Sequence, residues 1–537
     1  MGTRLERSRS LPLVVGGVER EYALLHPRSE AGSLIRLWIC DQVGDSLELA
    51  LRKRVAFIEH PEADGDVLSK YMLEDGGSIG LEDINLLEVS TPECYHGHQI
   101  AEYLSKHERL LADVLSGCLF LSRGLVISGG PSLLPGFEPG CEYIMRLGFH
   151  LNFAAHLTRE RGMVFCSLLA LLAPLLGGGG LAPWGFSPCP RALITRSSFR
   201  WGGHEASSSS MVERLSPRLC DAVPDIQPES RVHVSCVDAP LTRRGVVLAF
   251  ESCRLLLAIS LYPIGPLSNL RLCSPERAFV ASSRSNAGAR IELANGKSAS
   301  LRELREALLA GLGEAEKMFV LKPAQGLALD SLRNGLRALL DGDFDYLASY
   351  FDAYLKRDIY RRLMEEEGVS LMFFERVALP AVFHASRLCS GLAELRTMSP
   401  VEVRSLLKKG HGPERNRRKL LAILARARLS PAELPSLAGL VHRMLTLEVR
   451  LHQLYPETSP LKDHEEELWQ SFMKGWHIPA GTPFPTRASM RGELIKALGD
   501  LEAYRCRAEW SAIYIFSPHE LVGVIALPDP YGRTAHF

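Results

Sequence analysis

The chain has 537 residues, enough for one large core and a smaller second unit. Its 62 Lys and Arg balance its 62 Asp and Glu, so no global field selects nucleic acid or an anionic membrane. A hydrophobic content of 46% and a mean hydropathy of +0.02 read as a soluble globular protein.

The basic start, Met1 to Arg9, leads into too short an apolar run for a signal peptide. Residues 11–25 read as a buried strand. Its apolar run Leu11–Val15 precedes Glu19 and Glu21, which sit at i and i+2 and so share a face. The Asp75-Gly76-Gly77 turn leads into a second strand, 83–91, with Glu82 and Asp83 at its entrance, Glu88 within it and Glu93 beyond its end. Acids on a covered sheet face need cations, and oxygen ligands suit Mg²⁺. Residues 97–116 have helical spacing, and His96 and His98 read as exposed helix-start residues.

Residues 146–157 alternate as a strand, with His150, Asn152, Ala154 and His156 on one face and Leu151 on the other. Met163–Leu176 is the most apolar stretch, but it contains Pro174 and falls short of the roughly 18 residues that span a bilayer. It reads as a buried helix ended by Gly177–Gly180, a run without the following Lys-Ser/Thr of a P-loop. Residues 204–230 are Ser- and Pro-rich and read as a connection. Residues 231–238 alternate again and group Arg231, His233 and Ser235.

Ser300 and Glu303 form a capping box that opens a helix over 301–313. The pattern from 328 to 452 is helical, with breaks near 367 and at 410–413, and Pro456–Glu467 reads as a hinge. Arg487 and Arg491 stand i,i+4 near a helix N-terminus, an anion-binding arrangement. The basic run from Lys408 to Lys419 is a solvated face or a dock for an acidic partner. The 12 cysteines show no CxxC pair and no zinc spacing, which reads as reduced cytoplasmic thiols.

Three of these segments, in this order, resemble the Pup ligase and Pup deamidase (depupylase) family, of the proteasome accessory factor A type. That family belongs to the glutamine-synthetase-like carboxylate–amine ligases. Gly17-Val18-Glu19-Arg20-Glu21-Tyr22 is similar to its first strand. Asp83, Glu88, Thr91, Glu93 and Cys94 follow its second, and Thr486-Arg487-Ala488-Ser489-Met490-Arg491-Gly492 matches its C-terminal motif. Gly148-Phe149-His150-Leu151-Asn152 keeps the family's His and Asn but has Leu151 for Glu, and Leu86-Leu87 stands for His-Pro. Arg191-Ala192 and Arg231-Val232-His233-Val234 with Asp238 resemble two further arginine segments.

The resemblance implies an α+β fold. A curved, mainly antiparallel sheet would cradle ATP, with helices on its other face, in a catalytic domain over 10–455; a small C-terminal domain would follow over 460–537. It implies Mg²⁺ held by Glu19, Glu21, Glu88 and Glu93, the last two with a structural polar role as the alternative. Asp83 would be the catalytic base, or Glu82 if the register shifts by one. His150, Asn152, Arg191, Arg231, His233, Arg487 and Arg491 would face the nucleotide, although a lone strand histidine such as His150 is as readily a core residue. The implied reaction is ATP-dependent joining of the C-terminal glutamate side chain of a small acidic Pup-like modifier to a lysine of a target protein. Nucleic acid and membrane are not implied partners. Deamidation or depupylation on the same scaffold, a small-molecule ligase and a non-catalytic regulatory paralogue are the alternatives. The 53 residues between Glu21 and Asp75 are too few for the long loop of the depupylases, which favours the ligase.

Overall fold

The computed structural model describes residues 9–27, 34–36, 70–82, 86–116, 125–128, 148–155, 157–182, 185–189, 212–214, 230–284, 288–409, 412–452, 462–475, 486–499, 505–509, 512–517 and 520–527. Asp83 and Arg191 lie outside them, as do most of the Ser- and Pro-rich stretch and the first half of the expected hinge.

A nine-stranded antiparallel sheet organises the chain. Its strands are β1 (Gly16–Pro27), β2 (Leu34–Arg36), β3 (Lys70–Met72), β4 (Ser78–Glu82), β5 (Leu86–Ser90), β6 (Leu125–Ser128), β7 (Phe149–Ala154), β8 (Val212–Arg214) and β9 (Ser230–Val237). The order is β8-β9-β7-β1-β5-β4-β3, with β2 and β6 paired to the far half of β1. β1 therefore lies at the centre and starts later than expected, because Leu11–Val15 forms no strand. The expected 83–91 strand is the shorter β5, and Val212–Arg214, expected to be a connection, pairs with β9 as an edge strand.

Alternation gives the sheet an apolar face. Val18, Tyr22, Leu87, Val89, Phe149, Leu151, Phe153, Val232 and Val234 are all at most 1% exposed. Helices α1 (Gly97–Ser116), α2 (Arg159–Leu176) and α3 (Arg243–Ser260) belong to the same core. α3 is buried along nearly its whole length, and its Phe250 ring lies 5.3 Å from that of Phe153. α2, which carries Pro174, is the buried helix expected from 163–176, extended by a turn and capped by Thr158. Arg20 is the charged exception on this face. It pairs with Glu108 of α1 at 3.0 Å and donates to the Pro240 carbonyl.

Helices α4 (Leu301–Met318) and α5 (Pro323–Asp341) complete this core. The Ser300/Glu303 capping box is present. A second apolar cluster gathers Tyr360 of α6 (Asp352–Glu366) with helices α7 (Pro400–Lys409), α8 (Glu414–Ala427) and α9 (Leu434–Leu451). α6 joins the two clusters by polar contacts. Asp352 accepts from the Leu241 and Thr242 amides at 2.6 and 2.7 Å. Lys356, fully buried, donates to Glu448 and to the Gly179 carbonyl, both at 2.7 Å.

The remaining elements are α10 (Lys462–Gly475), where the second half of the expected hinge is helical, and α11 (Arg487–Gly499). β10 (Arg505–Glu509), β11 (Ala512–Phe516) and β12 (Leu521–Ala526) form a separate antiparallel sheet. Ile495 of α11 and Ile513 and Ile525 of this sheet pack on Met72 of β3. The architecture is α+β, with a mainly antiparallel sheet and helices on its apolar face. Among the described residues no single helix is long and apolar enough to cross a membrane.

Candidate active site

The polar face of the sheet collects the strand residues singled out by the sequence. Register places Glu21 opposite Glu88, Glu19 opposite both Ser90 and His150, and Asn152 opposite Gly17 and His233. Three carboxylates thus come from two adjacent central strands. Glu19, Glu21 and Glu88 are only 4–6% exposed. Acids so buried repel one another and demand positive charge.

Each carboxylate is held. Glu21 accepts from the Gly148 amide, next to β7. Glu88 accepts from the Ser90 hydroxyl at 2.9 Å. His150 stands between the acids of β1, Nδ1 3.6 Å from Glu19 and Nε2 3.4 Å from Glu21. The His233 ring meets His150 edge-on, 5.0 Å between centroids. Glu19, His150 and His233 each offer a ligand atom, all within 4.8 Å of one another. One carboxylate and two imidazoles suit a divalent cation, and Glu21 and Glu88 of the same face add carboxylate oxygens beside them. Gly17 keeps this face low: a Cβ there would come 3.2 Å from the Thr91 carbonyl, which crosses above it.

Leu151, the departure from the family's motif, is fully buried on the apolar face. Its carbon side chain therefore removes nothing from the carboxylate face. Arg231 lies on β9 opposite Ala154, in step with His233.

Glu93 and the two arginines form a second, separate group. Arg487 Nε donates to Glu93 at 2.9 Å, and Arg491 approaches the same carboxylate at 3.9 Å. Arg491 is wholly buried and also donates to the Gly76 carbonyl at 2.6 Å. Burial works to raise the Glu93 pKa, but the two guanidiniums outweigh it and hold the carboxyl below its usual range. Burial pulls the Arg491 pKa down to about 10, opposed by Glu93. The Thr91-Pro92-Glu93-Cys94 segment has a structural task at each end. Thr91 Oγ1 accepts from the Val18 amide at 3.0 Å, and Cys94 bridges to Gly16 through backbone bonds of 3.1 and 2.7 Å.

The small residues of the C-terminal motif follow from the same contact. α11 lies on the turn between β3 and β4. A Cβ on Gly492 would come 2.3 Å from the Glu74 carbonyl, and one on Gly76, at φ +86°, 2.0 Å from the Ala488 carbonyl. Beneath this turn Asp75 is held by the buried His107 at 3.0 Å and by Lys106 at 2.6 Å. Desolvation opposes ionisation of Asp75, yet these partners keep its pKa well below the carboxylate range. The sequence singled out neither His107 nor Ser90, because a helix histidine and a strand serine carry no signal until the register is known. His96 and His98, expected to be exposed, are partly buried and stacked 5.6 Å apart; burial, then Arg254, pushes His96 down to about 4.

No family model matches the sequence, and no curated protein matches it. Solved structures do match. The crystal structure of the complex between the prokaryotic ubiquitin-like protein Pup and its ligase PafA is similar with a TM-score of 0.65. Identity there is 14%, over 98% of this chain and 91% of that one. The Pup ligase PafA in complex with ADP is similar with a TM-score of 0.58 at 14% identity, over 87% of each chain. The sheet, its helical backing and the C-terminal helix thus belong to one known arrangement: this chain has the fold of the Pup ligase PafA, the type that its motifs resemble.

Proposed function

We propose that the protein is an ATP-dependent carboxylate–amine ligase of the Pup-ligase type. The observation that carries this reading is the convergence of Glu19, Glu21 and Glu88 with His150 and His233 on the polar face of a PafA-like sheet. In this reading residues 10–455 carry the cleft and 460–537 carry the arginine helix.

Glu19, Glu21 and Glu88 would hold Mg²⁺, with His150 and His233 beside them. When bound, Mg²⁺ neutralises phosphate charge as it develops in phosphoryl transfer. Asn152, Arg231 and Arg191 orient and neutralise the nucleotide phosphates. The carboxylate of a C-terminal glutamate on a small acidic modifier attacks the terminal phosphorus of ATP, and ADP leaves. A target lysine then attacks the acyl phosphate, phosphate leaves, and an isopeptide bond remains. Asp83 takes the proton that the ammonium must lose to become a nucleophile. Glu93, Arg487 and Arg491 act by position: they fix α11 against the end of the carboxylate strands and so set the rim of the cleft.

A second reading, a nucleotide-binding regulatory paralogue without turnover, is favoured by Leu86-Leu87 where the family has His-Pro. One experiment separates the readings. Purified protein, Mg²⁺ and ATP are given a Pup-like modifier in Glu-ended and Gln-ended forms, with a lysine-bearing target. ADP release with a mass-shifted target supports the ligase. Conversion of Gln to Glu without net ATP use makes it a deamidase. Nucleotide binding without any turnover makes it the regulatory paralogue.

A further inference from the structure

We infer that the surface formed by α7 and α8 docks an acidic, amphipathic segment of a second protein. This surface belongs to the second apolar cluster rather than to the sheet, so the inference goes beyond the ligase reading and stands apart from it.

Charge is the first observation. Between Arg404 and Arg428 there are nine Lys and Arg and a single acid, Glu414, a net +8 within a chain that is neutral overall. Arg415, Arg418, Lys419 and Arg426 are all exposed on α8. Their spacing puts them along one side of the helix, over about 16 Å. Like charges at i,i+3 and i,i+4 weaken an isolated helix, so the run does not serve α8 itself. Glu414 pairs with Arg417 at 3.0 Å and Arg418 at 3.7 Å. The acids nearby are engaged as caps. Glu394 accepts from the Ser390 amide at 2.6 Å, Glu402 from Ser399 at 2.7 Å and Glu433 from Ser430 at 2.6 Å.

A cavity is the second observation. It measures about 720 Å³ and has Leu388, Met398 and Leu406 as apolar lining; its charged lining is balanced, Arg387 and Lys409 against the capping acids Glu394 and Glu402. Gly412 joins it to α8: a Cβ there would come 2.0 Å from the Arg387 carbonyl, so the start of α8 is tied to the cavity's edge. A groove of this kind takes an apolar side chain, and the exposed cations of α8, which begins two residues beyond Gly412, take carboxylates.

The same features disfavour other polyanions. Residues 404–428 contain no Phe, Tyr or Trp on which bases could stack. Leu420 and Leu424, the apolar face of α8, are 0% and 3% exposed and already packed, and Leu421 alone is an exposed large apolar residue of the helix, too little to lay into a bilayer. An acidic protein helix with leucines on one side meets both the charge and the cavity.

The test uses the full chain and a fluorescent synthetic helix of about 18 residues, glutamate-rich with leucines at i, i+3 and i+7. A leucine-free version, duplex DNA and phosphatidylserine vesicles are the comparators. Binding of the leucine peptide should weaken at least about tenfold on raising salt from low to high. The variant Arg415→Glu/Arg418→Glu/Lys419→Glu should lose at least about tenfold in affinity while keeping its unfolding temperature. Arg415→Glu alone replaces it if the triple variant does not fold. Ser405→Trp, which fills the cavity mouth, should weaken the leucine peptide and leave the leucine-free one unchanged. Equal binding by the charge-reversed protein overturns the inference. So does preferred binding of DNA or vesicles, or self-association in place of peptide binding. ATP turnover is not read, so failure of the ligase reading leaves this result standing.

Discussion

Glu19 and Glu93 are both buried acids of the motif segments, and their surroundings are opposite in charge. Glu19 faces the two histidines across β7 and β9, among other carboxylates. Glu93 faces two guanidiniums. Removing charge at Glu19 relieves repulsion among buried acids, so Glu19→Gln should leave the unfolding temperature unchanged or raise it slightly. It should also weaken Mg·ATP binding by at least about tenfold, since even supporting groups around a metal are worth about 10–100-fold. Glu93→Gln should do the reverse. It strands the fully buried Arg491 and should cost about 3–5 kcal/mol of stability, with nucleotide affinity little changed in the protein that remains folded. Calorimetric titration with Mg·ATP and thermal unfolding of both variants check the pair. A Glu93→Gln protein that stays fully stable but cannot bind nucleotide would return Glu93 to the metal set.

The contact between α11 and the β3–β4 turn explains why the motif joins arginines to Ala488 and Gly492. The helix backbone comes so close that a methyl group on Gly492 would meet the Glu74 carbonyl at 2.3 Å. Gly492→Ala must push the helix off the turn, at a cost of about 1–3 kcal/mol for overpacking. Faster hydrogen exchange of residues 487–499 than of β1 or β5 in this variant checks it; uniform exchange would mean that the helix is held elsewhere. Strand alternation made the carboxylate face legible: the spacing of Glu19 and Glu21, and of His150 and Asn152, was enough to set their sides. The α+β class came from the resemblance of the motif segments to a known family. Pairing was not legible. Nothing local says that β1 sits between β5 and β7, which is what brings Glu88 and His150 to the same acids. Nor does spacing show that Arg487 and Arg491 turn toward Glu93. An i,i+4 arginine pair at a helix start has the form of an anion site whether the anion is a phosphate or a carboxylate of the same chain.

Acid stability should depend on the joint between the sheet, α1 and α11, because the two strongly held carboxyls described there lie on either side of it. Asp75 is clamped by His107 and Lys106 below the turn, and Glu93 by Arg487 and Arg491 above it. In both, burial favours the protonated form and the hydrogen-bonding and charged partners overcome it, so the folded-state pKa lies below the unfolded value of about 4. A depressed carboxyl pKa means that the unfolded chain binds more protons. The stabilisation is therefore fully present above about pH 5 and is lost as pH falls through the folded values. Unfolding temperature should decline gently below about pH 6.5, where the depressed His96 begins to cost stability, and drop steeply below about pH 5. Asp75→Asn and Glu93→Gln should each lower the plateau and flatten the drop, and the double variant should flatten it most. Parallel acid profiles for the parent and both variants would place the acid-sensitive groups elsewhere, with the buried cluster of Glu19, Glu21 and Glu88 as the alternative source. Those acids repel one another without bound cation, and Mg²⁺ in the titration then tells the two apart: it would reshape a profile set by the carboxylate face and leave one set by the α11 joint unchanged.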